Sequence, residues 1–245
     1  MESRWGGVEV SMIGKSARFI LDTLFPIECL GCKKEGTWAC LRCLKRIPIQ
    51  TEDCCLVCKL PVKRGKTCFA CRKIFTLEGV FSFLDYDYGL VKSILKAAKY
   101  GYVRGALDPL IRIVEDYFLS KLEFLDADPR ALIFVPVPLH PRRLRDRGFN
   151  QAEIIARRFA AISGGQSVPA LVRRRHRPPQ ASLDEIDRAR NIRHNIWCVE
   201  PEAIRGKFVC VVDDVATTGS TLGECGRALR QARASEVWGM VLAKG

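Results

Sequence analysis

Residues 208–221 read Phe208-Val209-Cys210-Val211-Val212-Asp213-Asp214-Val215-Ala216-Thr217-Thr218-Gly219-Ser220-Thr221, and this stretch changes character twice. From Phe208 to Val212 it is apolar without alternation, the pattern of a strand buried on both faces, as in a parallel sheet. Such a strand delivers Asp213 and Asp214 to its carboxyl end, where open α/β sheets bind ligands. Small and hydroxylated residues follow, leading straight into a helix predicted from Thr221 to Ala232. A loop of this kind wraps a phosphate with backbone N–H groups and hydroxyls, helped by the helix dipole. Gly219 lets the backbone approach closely. The carboxylates repel phosphate and suit other work: accepting hydrogen bonds from ribose hydroxyls, or holding Mg²⁺ through water. An acidic pair and a helix cap are each common alone; joined in this order they describe a ribose phosphate site. No G-x-x-x-x-G-K-[ST] loop occurs.

Working outward, Val237 to Ala243 predicts a last strand and Leu132 to Val137 another, the latter followed by a Pro- and Arg-rich loop. Phe81 to Leu84 reads as a strand, and Leu90–Tyr100 and Leu107–Leu122 as helices. Asn150 opens a helix to Ile162, with Glu153 placed for a capping-box contact and Gly164-Gly165 as its stop. Residues 173–195 are polar and basic without a clean period and read as a long loop. Alternating β and α elements with continuous apolar strands predict a parallel sheet covered on both faces. Ahead of it, Ile13, Ala17, Ile20, Leu21 and Leu24 set a helical rhythm, and 26–75 is too poor in large apolar residues to fold without a staple. Two regions are therefore expected: an N-terminal helix with a Cys-rich module over 1–78, and the sheet domain over 79–245.

The staple is written in cysteine. Of 12 cysteines, nine precede residue 72. Eight form four C-x-x-C pairs: Cys29/Cys32, Cys40/Cys43, Cys55/Cys58 and Cys68/Cys71. A two-residue spacer lets both thiolates of a pair meet one tetrahedral ion, so two structural Zn²⁺ are expected. Whether neighbouring pairs share an ion or the pairs cross is open at this level. The N-terminus lacks the pattern of a signal peptide, and no stretch nears the roughly 18–20 apolar residues of a membrane helix. A reducing, cytoplasmic setting follows as an expectation, and it favours zinc over disulfides. Cys54 is a spare that can exchange with Cys55; Cys198, Cys210 and Cys225 read as small core residues.

The formal net charge is +13. Residues 142–195 carry 13 arginines, no lysine and five acidic residues, a composition suited to bidentate phosphate contacts. Arg173, Arg174, Arg175 and Arg177 are candidates for gripping a pyrophosphate or a nucleic-acid backbone. His140, ahead of a proline where a cis bond is possible, reads as shaping its loop; His176 and His194 receive no metal role. Lys99, near the end of a predicted helix, reads as complementing the helix dipole.

Together these motifs resemble the ComF family, known for a role in DNA uptake during competence. Val211 to Thr221 resembles the signature by which type I phosphoribosyltransferases bind phosphoribosyl pyrophosphate (PRPP). Further matches are Lys99-Tyr100-Gly101, Val135-Pro136-Val137-Pro138-Leu139-His140-Pro141, Arg147-Gly148-Phe149-Asn150-Gln151-Ala152, Gln180 and Arg190-Asn191. One departure is Arg177, where the family often has Thr. The resemblance implies a phosphoribosyltransferase-like α/β sheet behind a double zinc ribbon. It implies that Asp213 and Asp214 contact ribose, and that Ala216, Thr217, Thr218, Gly219, Ser220 and Thr221 hold its phosphate. It also implies that the segment with Pro138, Leu139, His140 and Arg142 faces the pyrophosphate, which Mg²⁺ accompanies. The expected function is a PRPP-binding competence protein that also binds single-stranded DNA and contacts DNA-uptake or recombination proteins. The alternative is a phosphoribosyltransferase acting on a base or amine. With Met1-Glu2 at the start and no cysteine nucleophile there, a glutamine-dependent amidophosphoribosyltransferase is not expected.

Overall fold

The computed structural model describes residues 27–100, 104–173 and 195–245. The helix expected over 11–24 and nearly all of the loop expected over 173–195 lie outside the described residues. In chain order the elements are α1 (Leu41–Leu44), β1 (Gly79–Asp85), α2 (Gly89–Tyr100), α3 (Asp108–Leu122), β2 (Ile133–Pro136), α4 (Pro141–Arg147), α5 (Gln151–Ser163), β3 (Gln166–Ser167), β4 (Leu171–Arg173), β5 (Ile196–Cys198), α6 (Pro201–Ile204), β6 (Phe208–Ala216), α7 (Ser220–Gln231) and β7 (Glu236–Lys244). Five strands form one sheet in the order β1-β7-β6-β2-β3, and every pairing in it is parallel. This is the α/β sheet flanked by helices that the continuous apolar strands predict.

Alternation along each strand sorts its side chains into two apolar layers. Phe83, Phe134, Cys210, Val212, Met240 and Leu242 face one layer, which α2, α3 and α5 cover through residues such as Leu95, Phe118 and Phe159. In it the Phe118 and Phe159 rings stack with centroids 4.2 Å apart. Val80, Val135, Val209, Val211 and Val241 face the other, covered by Leu222, Cys225 and Leu229 of α7. The Cys-rich region divides between them: Ala39, Leu44 and Ile47 enter the first layer, and Leu56, Phe75 and Leu77 enter the second. The two halves are also tied by the buried ion pair of Lys121 with Asp53, 2.8 Å apart.

Three elements differ from expectation. The Pro- and Arg-rich stretch after β2 is not all loop, because Pro141 stands in the first turn, where it suits a helix. There the Arg142 N–H donates to Nδ1 of His140, the N-cap, at 3.1 Å. Among the described residues no peptide bond is cis, the bond before Pro141 included. Glu153 pairs with Arg157 at 2.5 Å, while the N-cap contact comes from Asn150, whose Oδ1 accepts from Ala152 N. Finally, β6 runs on to Ala216 because β7 pairs with it that far, Ala216 opposite Lys244.

Candidate ligand site and metal centres

From the sheet order, the helices leaving β2 and β6 part company. The chain leaves β6 through α7 for β7 on one side, and leaves β2 through α5 for β3 on the other. The two connecting helices sit in opposite apolar layers. At such a switch point the carboxyl ends of neighbouring strands open into a crevice. Pairing of β2 with β6 stops at Pro136 and Val212, with one more bond from Val137 N–H to the Val212 carbonyl. Beyond it, Asp213 and Asp214 continue along β6 with no β2 residue beside them.

Asp214 is 6% exposed. Lys99 reaches it from the end of α2, its Nζ 2.7 Å from Oδ2. That oxygen accepts no well-aligned hydrogen bond among the described residues; the ammonium neutralises it by charge while lying off the line a hydrogen bond needs. Lys99 therefore does more than complement a helix dipole, a role its position in the sequence does not announce. The end of α2 is pinned, since Gln151 Nε2 donates to the Ala98 carbonyl at 3.2 Å. Asp213 Oδ1 accepts from the Asp214 N–H at 2.9 Å. Burial and the Asp214 charge push the Asp213 carboxyl up to about 8, against the opposing pull of that N–H and of Lys99.

The loop after β6 is open to solvent at Thr217 and Thr218 and closed beneath at Gly219. Thr218 Oγ1 and Ser220 Oγ lie 2.9 Å apart. Gly219 precedes α7 with φ +76°, and a Cβ there would come within 2.6 Å of Leu56 Cδ2. Both conformation and space require glycine. Across the crevice, the expected pyrophosphate segment follows β2. Pro138 is buried, Leu139 and His140 are half-buried, and Arg142 is exposed. Asn150 holds this segment in place, donating through Nδ2 to the Val137 carbonyl at 3.0 Å.

Arg173 ends β4, which pairs antiparallel with β5, a ribbon the sequence pattern does not reveal in strands of three residues. Burial and the nearby Arg143 lower the pKa of its guanidinium. Arg173, the strand partner of Ile196, lies within electrostatic reach of Asp213. Arg174, Arg175 and Arg177, like Gln180, Arg190 and Asn191, fall outside the described residues.

The cysteines fall into two groups. Cys29, Cys32, Cys40 and Cys43 bring their sulfurs within 4.8 Å of one another, and so do Cys55, Cys58, Cys68 and Cys71. Neighbouring pairs converge, and the crossed arrangement is not formed. The sulfurs of Cys32 and Cys40 are 3.6 Å apart, as are those of Cys58 and Cys68. Four thiolates about 2.3 Å from a tetrahedral Zn²⁺ stand roughly 3.8 Å apart, so both groups fit zinc. Although burial opposes ionisation, N–H groups such as that of Cys40 bring Cys29 down to about 6. The hydrogen bond with Cys32, together with burial, raises Cys43 to about 12. Cys55 and Cys71 repeat this contrast: a crowded group of thiols shares its protons until a cation replaces them. Cys54 stands outside the second group, its Sγ 2.6 Å from Lys244 Nζ. Cys210 and Cys225 are fully buried, and Cys198 is half-buried.

No protein-family model matches the chain. It is 34% identical over 119 residues to Competence protein F of Haemophilus influenzae, a match spanning 47% of this chain and 51% of that protein. It is 28% identical over 210 residues to the DNA utilization protein YhgH of Escherichia coli K12, spanning 83% and 90%. These similarities agree with the resemblance to the ComF family carried by the sequence motifs. Among solved structures, the chain is similar to the allosteric regulatory enzyme of purine biosynthesis, at 20% identity and a TM-score of 0.34, over 52% of this chain and 24% of that one. The alignment with Competence protein F spans about half of that protein's length.

Two outcomes follow from the geometry. Elemental analysis of the full chain should find about two Zn²⁺ per molecule, one for each four-thiol group; a disulfide-bonded, metal-free native protein is the contrary result. The second concerns Asp213, with a folded pKa of about 8 against roughly 3.9 for an unfolded aspartate. Between those values the folded state holds a proton that the unfolded state lacks, so stability falls as pH rises through the window. Asp213→Asn should therefore stabilise the ligand-free protein, by a margin that widens from about pH 5 to pH 8 in urea denaturation. A margin independent of pH would contradict the assignment.

Proposed function

We propose that this chain binds PRPP in the crevice between β2 and β6 and acts in DNA uptake, with single-stranded DNA as a second ligand. The observation that carries the PRPP reading is the join at the end of β6. A buried carboxylate oxygen there lacks an aligned donor, and a Thr-Thr-Gly-Ser-Thr turn, solvent-open at Thr217 and Thr218, enters a helix directly after it. In this reading Asp213 and Asp214 accept from the ribose hydroxyls. Ala216, Thr217, Thr218, Gly219, Ser220 and Thr221 enclose the 5′-phosphate through N–H groups and hydroxyls. Pro138, Leu139, His140 and Arg142 border the pyrophosphate with its Mg²⁺, and Arg173 adds positive charge beside it.

The DNA part draws on the relatives' names, Competence protein F and DNA utilization protein. It draws also on an exposed basic and aromatic surface. Phe69 is 83% exposed between Lys66 and the Arg72-Lys73 pair, and an unpartnered ring among cations is a stacking platform for unpaired bases. Among the described residues no helix is long and apolar enough to cross a membrane. Residues 1–78 supply this surface and 79–245 the crevice. Protein partners from DNA uptake or recombination remain part of the proposal.

Calorimetry on the full chain tests the first ligand. PRPP with Mg²⁺ should bind saturably, and Asp213→Asn with Asp214→Asn should weaken it by about 1–3 kcal/mol, the scale of charge-assisted hydrogen bonds. No saturable heat from wild type, or undiminished binding by the double variant, refutes the site. For DNA, single-strand affinity should fall steeply as salt rises, and Phe69→Ala should lower it without altering PRPP binding; salt-insensitive binding, or none, refutes that part.

A further inference from the structure

The two four-cysteine modules are copies of one design. The first begins Cys29-Leu30-Gly31-Cys32-Lys33 and the second Cys55-Leu56-Val57-Cys58-Lys59. In each, the lysine N–H donates to the carbonyl of the leading cysteine at 2.8 Å. Both lysines take the left-handed conformation, φ +64° at Lys33 and +62° at Lys59, which a side chain rarely adopts unless its turn imposes it. Each module also closes with one antiparallel bridge at the same offset, Glu28 to Glu35 and Cys54 to Pro61. The turn, and with it the direction of the lysine, belongs to the knuckle that the cysteines hold.

The copies differ in what they touch. Leu30 is partly buried against the layer of α2 and α3, and Lys33 is 74% exposed with a loose 3.9 Å pairing to Glu28. Leu56 is 4% exposed in the layer of α7, directly under Gly219. Lys59 Nζ donates to the carbonyl of Thr217 at 3.1 Å and to that of Gly245 at 3.2 Å. Thr217 is the first residue past β6 and Gly245 the first past β7, so one ammonium ties two carbonyls at the sheet's carboxyl edge. Phe75, four residues beyond Cys71, approaches both Gly219 and Gly223, and the Thr76 hydroxyl donates to the Gly223 carbonyl at 2.6 Å. The underside of the phosphate loop and of the first turn of α7 is thus built by the second module.

We propose that the second module is the floor of the phosphate loop, with Lys59 and Leu56 as positioning residues, and that the first module has no such part. The proposal rests on the PRPP reading for its ligand, but not for its mechanics. The Lys59 ammonium fixes the Thr217 carbonyl from outside the site, so that the N–H groups of the following residues converge on one anion before it arrives. Leu56 blocks the loop from sinking toward α7. The four thiolates gathered at Cys55, Cys58, Cys68 and Cys71 hold the turn that aims both residues, which couples metal loading of this module to anion binding 158 positions along the chain from Lys59.

The duplication supplies its own control. In the full chain, Lys59→Met removes the two hydrogen bonds and keeps the apolar stem; Lys33→Met makes the same change in the other copy. Amide exchange of residues 217–221 without ligand, and calorimetry with PRPP and Mg²⁺, are read for both, with metal content measured in parallel. Lys59→Met should exchange faster over 217–221 and bind PRPP about tenfold more weakly, the scale of a hydrogen bond's net worth, with zinc unchanged. Lys33→Met should match wild type in both readouts, and Lys59→Arg should recover most of the loss. Equal exchange in Lys59→Met and wild type overturns the proposal, and so does an equal effect of the two Met variants. If wild type shows no PRPP binding while exchange still separates Lys59→Met from Lys33→Met, the positioning role stands and the ligand assignment falls.

Discussion

Neighbouring strands whose helices depart to opposite faces cannot both be covered at their carboxyl ends, and the proposed ligand crevice lies where β2 and β6 meet that constraint. The sheet order obliges α5 to lie in one apolar layer and α7 in the other. What is left between the strand ends is a notch with backbone on two sides. Into it β6 carries two carboxylates that no core would accept. Burial leaves one of them inclined to keep its proton, and a lysine from a third element partly neutralises the other. A structure optimised for stability alone would not place those groups there; like charges in low dielectric are tolerated where a ligand or partner completes them.

The Cys-rich region belongs to the same logic. A sheet with helices on both faces needs two covers, and here one face has α2, α3 and α5 while the other has mainly α7. The second four-cysteine module supplies the missing cover through Leu56, Phe75 and Leu77. Its hydrogen bonds run to sheet-domain residues far off in sequence, such as Thr217 and Gly223. A small module with few large apolar residues gains stability this way, and the face it covers gains rigidity.

Much of this is legible in the sequence. The unbroken apolar runs at Val209–Val212 and Val237–Ala243 define buried parallel strands, and the C-x-x-C spacing defines the thiol groups, because both patterns are local. The acidic pair, Gly219 and the hydroxyl-rich turn are contiguous for the same reason. What escapes is non-local. Nothing near Lys99 points to Asp214, more than a hundred positions later, and nothing in Cys55-Leu56-Val57-Cys58-Lys59 points to Thr217. Pairing among the cysteines is likewise settled only by where the chain brings them. The three-residue strands β4 and β5 are too short to show a period. At Pro141 the reading of the stretch as a loop fails, since the effect of a proline depends on whether it opens a helix or interrupts one.

The position of β7 bears on how the chain assembles during synthesis. It follows all the other strands in sequence, yet it occupies the second place in the sheet, between β1 and β6. Until it emerges, β1 has no strand neighbour in the sheet; its other contacts of this type are isolated bridges to Ile49 and Lys66. Until β7 docks, the edges of β1 and β6 that it pairs with have no partner strand among the described residues. Such a late central insertion makes the contacts long in sequence and the partly made chain prone to stick to others.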